Sequence, residues 1–142
     1  MKILIIDGQG GKMGKTVVEQ LKENFPEQEL IAIGTNSIAT STMLKAGADE
    51  GATGENPVVV GCRKADFIVG PLGIVIADSL MGEVTPKMAL AISQSEATRI
   101  LIPMNMCDNL VAGVTAQSVN ELLDDAVAKI AGKIKENQNA GK

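Results

Sequence analysis

Asp7-Gly8-Gln9-Gly10-Gly11-Lys12-Met13-Gly14-Lys15-Thr16 follows directly on the apolar run Ile3-Leu4-Ile5-Ile6 and leads directly into a helical pattern. Glycines between a strand and a helix let a backbone approach a phosphate closely, with free N–H groups at the positive end of the helix. The chemistry this suggests is anion binding, and the ligand class is a nucleotide. No reaction follows from it. With no His, Tyr or Trp the chain has neither the commonest general base nor a phenolic acid, so any catalysis would fall to Asp, Glu, Lys, Cys or the backbone.

The elements that position this turn can be read from the pattern. Lys2 to Ile6 reads as a central parallel strand buried on both faces. Met13, Val17, Val18, Leu21 and Phe25 recur at helical spacing up to Pro26. Leu30 to Gly34 reads as a second strand ending at Thr35-Asn36-Ser37, followed by a weaker helix to Lys45. The glycine-containing stretch Gly47 to Pro57 reads as a loop or lid. Asn56-Pro57 favours a short helix, although Val58-Val59-Val60 suits a strand equally well. Phe67 to Val69 reads as a third strand ending at Gly70-Pro71, Ile74 to Asp78 as a buried helix, and Thr85-Pro86 as the start of another helix through Ile92. Ile100 to Ile102 is the expected fourth strand, ending at Pro103-Met104-Asn105, and Leu110 to Val114 the fifth. Ser118 and Glu121 form a capping box ahead of a final helix with Leu122, Leu123, Ala126, Val127, Ile130 and Ile134 on one face.

Strands alternating with helices imply an α/β fold: a single doubly wound, mostly parallel, Rossmann-like sheet of about five strands. A chain of 142 residues fits one domain, placed at 1–135, with a polar tail at 136–142. Ligands of such sheets sit at the carboxyl ends of the strands near the switch in strand order. That edge would gather Gly8, Gln9, Gly10, Gly11, Lys12, Met13 and Gly14 with Thr35, Asn36, Ser37, Gly70, Pro71 and Asn105 as cofactor-binding residues.

Composition narrows the partners. A net charge of -4, no basic stripe, and only Phe25 and Phe67 as aromatics argue against nucleic acid. The uncharged stretch Phe67 to Ala77 is too short to span a bilayer, and the opening apolar run is too short for a signal peptide, so a cytoplasmic protein is expected. Cys62 and Cys107 form neither a disulfide framework nor a metal-ligand set, and no metal site is expected. A small-molecule nucleotide is the expected partner, with a homo-oligomer or a partner protein left open.

The turn Gly8-Gln9-Gly10-Gly11-Lys12-Met13-Gly14 resembles the dinucleotide-binding start of the dihydrodipicolinate reductases, whose loop runs Gly-x-x-Gly-Arg-Met-Gly, and more loosely that of other Rossmann dehydrogenases. The resemblance implies that Gly8 makes the tight turn and that Gly10 and Gly11 bring N–H groups to the pyrophosphate. It also implies that Lys12 stands for the cofactor-contacting Arg and that Gly14 lets helix and strand pack. It reaches to about Thr35 and does not extend to that family's catalytic motif or second domain, so no reaction is implied. The chain as a whole also resembles a small bacterial family classed as a domain of unknown function, which implies the single α/β domain and no activity.

Two features qualify the dinucleotide reading. Thr35-Asn36-Ser37 stands where NAD sites place an acid, which favours NADP over NAD, and Asp7 puts a carboxylate beside the expected phosphate unless it turns away or holds Mg²⁺. A P-loop is the rival for the same residues, with Gly14-Lys15-Thr16 as its end and Ile74 to Asp78 as its Mg²⁺-binding strand. That motif needs a glycine five residues before Gly14, where Gln9 stands. The expected function is therefore a sensor or accessory subunit that binds NADP or NAD. A small Mg-dependent enzyme using Asp7 on a phosphorylated substrate and a ligand-free interaction scaffold are the alternatives.

Overall fold

The computed structural model describes residues 1–104 and 108–140. Five parallel strands, β1 (Lys2–Asp7), β2 (Glu29–Gly34), β3 (Glu50–Thr53), β4 (Phe67–Pro71) and β5 (Thr98–Ile102), form one sheet in the order β3-β2-β1-β4-β5. The chain runs outward from β1 to β3, then crosses back to build β4 and β5 on the other side. The switch point lies between the carboxyl ends of β1 and β4. Each connection is helical: α1 (Lys12–Asn24), α2 (Ser37–Lys45), α3 (Glu55–Gly61) and α4 (Pro86–Gln94), with α5 (Val119–Ala140) closing the chain.

The central strands are continuous apolar runs because both faces are covered. On one face Ile3, Ile5, Phe67, Val69 and Ile100 meet α1, α2 and α5 through Val17, Val18, Leu21, Met43, Leu123 and Ile130. On the other, Leu4, Ile6, Ile33 and Ile68 meet α3 and α4 through Val58, Met88 and Ile92. The fold is the expected doubly wound α/β sheet.

Three expectations about elements are corrected. The expected loop at Gly47 to Pro57 contains the edge strand β3, paired in parallel with β2 from Ile31–Glu50 to Gly34–Thr53. With one neighbour and largely exposed side chains it needs no apolar run, and it is anchored by Asp49, whose carboxylate accepts the Leu30 N–H at 2.8 Å and the Lys22 ammonium at 2.7 Å. Leu110 to Val114 is not a strand; Leu110 is 97% exposed and Gly113 has a positive φ. Ile74 to Asp78 is not a helix; a 3-10 turn at Leu72–Val75 gives way to tight turns in which Asp78, Leu80 and Met81 take φ near 60°. The final helix also runs to Ala140, through the stretch read as a tail, and no helix among the described residues is long and apolar enough to cross a membrane.

Candidate functional site

The turn between β1 and α1 is built around Asp7. Asp7 is 5% exposed and its carboxylate faces inward, where Oδ1 accepts the Gly8 N–H and Oδ2 the Gly14 N–H, each at 2.8 Å. Gly14 is the third residue of α1, so Asp7 closes one of the four N–H groups that a helix start leaves open. Burial raises the Asp7 carboxyl above its ordinary value; the Gly14 and Gly8 N–H groups pull against this, and the charge of Glu83 pushes it further up. The carboxylate is thus turned inward onto two backbone N–H groups and away from solvent. The strand that would have carried the second P-loop acid is absent, because Asp78 sits in a turn.

Gly11 is the N-cap of α1, in the left-handed region at φ 73, and its N–H donates to Gly8 O at 2.9 Å. A Cβ there would lie 2.8 Å from Ala39 Cα and 2.9 Å from Ala39 O, so helix α2 itself closes over this position. At Gly14 a Cβ would come within 2.5 Å of Met43 Sδ on α2 and 3.0 Å of Asp7 Cβ on β1, so α1 lies close against both elements at this position. Gly10 is open, with nothing within 4 Å of such a Cβ. The N–H groups of Gly10, Lys12 and Met13 have no protein acceptor among the described residues. Of the two lysines, Lys15 makes an exposed pair with Glu19 at 3.9 Å, while Lys12 has no ion pair among the described residues.

The end of β2 meets this turn. Thr35 N–H donates to Asp7 O at 3.0 Å, and Asn36 Nδ2 donates to Gln9 O at 2.9 Å while its Oδ1 caps α2 by accepting the Ala39 N–H. Both residues also reach Glu83. Glu83 Oε1 accepts the Thr35 hydroxyl at 2.6 Å, the Asn36 amide at 2.7 Å and the Gln9 N–H at 3.0 Å. Burial works against its charge, but these three donors outweigh it and hold the carboxyl below its ordinary value. No local sequence signal marks Glu83, because the crossover to β4 brings it back from 48 positions beyond Thr35.

The remaining expected site residues divide. Ser37 opens α2 beside Asn36. Gly70 and Pro71 end β4 and are buried; a Cβ on Gly70 would lie 2.5 Å from Ile6 O, so that glycine serves the contact between β1 and β4. Asn105 and Cys107 lie outside the described residues. Cys62, the C-cap of α3, is buried, and burial pushes its thiol up to about 11, partly offset by Arg99, which disfavours the thiolate form. Two cavities lie away from the turn. One of about 730 Å³ lies at the amino ends of β4 and β5, lined by Cys62, Lys64, Asp66 and Glu96; one of about 450 Å³ runs between β5 and α5.

The family model described as a domain of unknown function (DUF3842) matches residues 2–135. The chain belongs to this family. No curated protein matches the DUF3842 chain. Among solved structures it is similar to a dodecameric FMN-dependent Ubix-like decarboxylase from Escherichia coli O157:H7, with 16% identity, a TM-score of 0.45, and coverage of 95% of this chain and 94% of that one. At that level neither ligand nor assembly transfers.

Proposed function

We propose that this protein binds a nucleotide, of the NAD or NADP type, at the turn between β1 and α1, and that it works as a sensor or accessory subunit. The observation that carries the reading is the set of N–H groups on Gly10, Lys12 and Met13 that have no acceptor among the described residues. They stand at the positive end of a 13-residue helix, beside the switch in strand order. An anion placed there would satisfy donors that the fold leaves open, with Lys12 in the first turn where a cation is otherwise disfavoured. The inward pairing of Asp7 with Gly8 and Gly14 favours the metal-free reading over the metal-dependent alternative. With neither His nor Tyr in the chain, a base beside the turn would have to be a carboxylate, and Asp7 and Glu83 each already accept hydrogen bonds there, which favours binding over catalysis.

Thermal-shift titration of the purified chain with NAD, NADP, FMN, ATP and GTP tests this. A ligand at about 100 times its dissociation constant adds roughly 2.7 kcal/mol of stability, a clear rise in Tm. Native mass spectrometry of gently purified protein should show the same compound retained. No shift with any of the five at millimolar concentration overturns the reading and leaves the ligand-free scaffold in its place.

A further inference from the structure

An acid at the end of the second strand is how a dinucleotide site takes hold of the ribose hydroxyls, and β2 ends here without one, in Thr35-Asn36-Ser37. The fold nevertheless delivers a carboxylate to that place from another segment. Glu83 arrives by way of the turns that lead from β4 into α4. It is fixed there by the Thr35 hydroxyl, the Asn36 amide and the Gln9 N–H, all three on Oε1. Its other oxygen, Oε2, has no partner among the described residues, and the side chain is only partly buried.

We infer that Glu83 is the specificity-determining residue of the proposed site, accepting the 2′- and 3′-hydroxyls of a ribose on Oε2. The ligand is thus a nucleotide with a free ribose diol, and 2′-phosphorylated nucleotides are excluded. This rests on the nucleotide reading above, and it reverses the preference for NADP drawn from the small residues at 35–37. The donors holding Oε1 are neutral, and no Lys or Arg pairs with Glu83 among the described residues, so its charge is not cancelled. A 2′-phosphate would bring a second negative group against it with no counter-ion, whereas two hydroxyls would each donate to it. A site built to accept hydroxyls discriminates strongly against an analogue that lacks them.

Isothermal titration of the full chain with NAD and with NADP, repeated on Glu83→Gln, tests the inference. Wild type should bind NAD at least about tenfold tighter than NADP, and Glu83→Gln should bring the two within about threefold, chiefly by weakening NAD. Thr35→Val removes one donor that fixes Glu83 while leaving the carboxylate in the chain, and it should narrow the NAD preference in the same direction. It supplies the answer should Glu83→Gln fail to fold. NADP binding as tightly as NAD in wild type, or an unchanged ratio in the folded variants, overturns the role of Glu83 and leaves nucleotide binding standing. If neither dinucleotide binds wild type at millimolar concentration, the reading of the site fails and the inference fails with it.

Discussion

Asp7, within the β1–α1 turn, and Glu83, packed against it from another segment, are two carboxylates whose surroundings push them in opposite directions. Asp7 is raised, chiefly by burial, so between its ordinary and its folded value the native chain binds the more protons. Its contribution to stability therefore falls as pH rises through that window and is level above it. Glu83 is lowered despite burial, so its contribution is complete above the ordinary glutamate range and is lost as pH falls through its folded value. Glu83→Gln should accordingly cost stability near neutral pH and progressively less as pH falls below the ordinary glutamate range, as read from urea midpoints taken across that range. A difference independent of pH would mean that its three hydrogen bonds do not depend on its charge. Asp7→Asn keeps an acceptor for one N–H but turns an NH₂ toward the other, and should cost about 1–3 kcal/mol in chemical denaturation; an equally stable variant would contradict the inward geometry. Neither role was legible in the sequence. Adjacency to the glycine turn placed Asp7 correctly but could not say which way its side chain points, and Glu83 meets Thr35 only through a crossover.

The glycines of the turn are not equivalent. Gly11 combines a left-handed φ with the backbone of Ala39 where a Cβ would go, so Gly11→Ala should destabilise the fold by more than about 1 kcal/mol. Gly10 has open space and ordinary φ, and Gly10→Ala should leave the melting temperature within about a degree or two of wild type. Circular-dichroism melts of the two variants decide the matter, and equal losses would contradict the way α2 packs on the turn. Gly10 is therefore the position at which to test ligand approach without disturbing the fold. The helices and central strands were legible because each buries a face of fixed period: Val17, Val18 and Leu21 in α1, Leu123, Ala126 and Ile130 in α5. Strand β3 was not, because an edge strand held by Asp49 and one neighbour has no apolar run to betray it. The apolar stretch Leu110 to Val114 misled for the converse reason, since the apolar pattern of a strand gives it no partner to pair with.

The whole molecule is a three-layer sandwich in which the sheet order puts the β1–α1 turn at the switch point and α5, packed beside α1, closes the layer over β5. Ile130, fully buried in that layer, should cost about 2–5 kcal/mol when truncated to Ala, measured by denaturant unfolding. A loss below 1 kcal/mol would mean that α5 is an appendage and not part of the core. The parallel doubly wound order followed from alternation of elements and right-handed crossovers, so the edge on which Gly8 to Gly14 meets Thr35 and Asn36 could be named in advance. What closes that edge could not, because Glu83 reaches it from turns that no periodicity describes.

Nitrogen-resolved NMR of the backbone amides during titration with NAD tests the central claim most directly, because it observes the donors themselves. The amide signals of Gly10, Lys12 and Met13 should move first and farthest, saturating together with those of Gln9 and Thr35, while the amides around Cys62 and Lys64 at the opposite edge stay in place. Spectra unchanged at millimolar NAD, or shifts confined to that opposite edge, would contradict a nucleotide site at this turn.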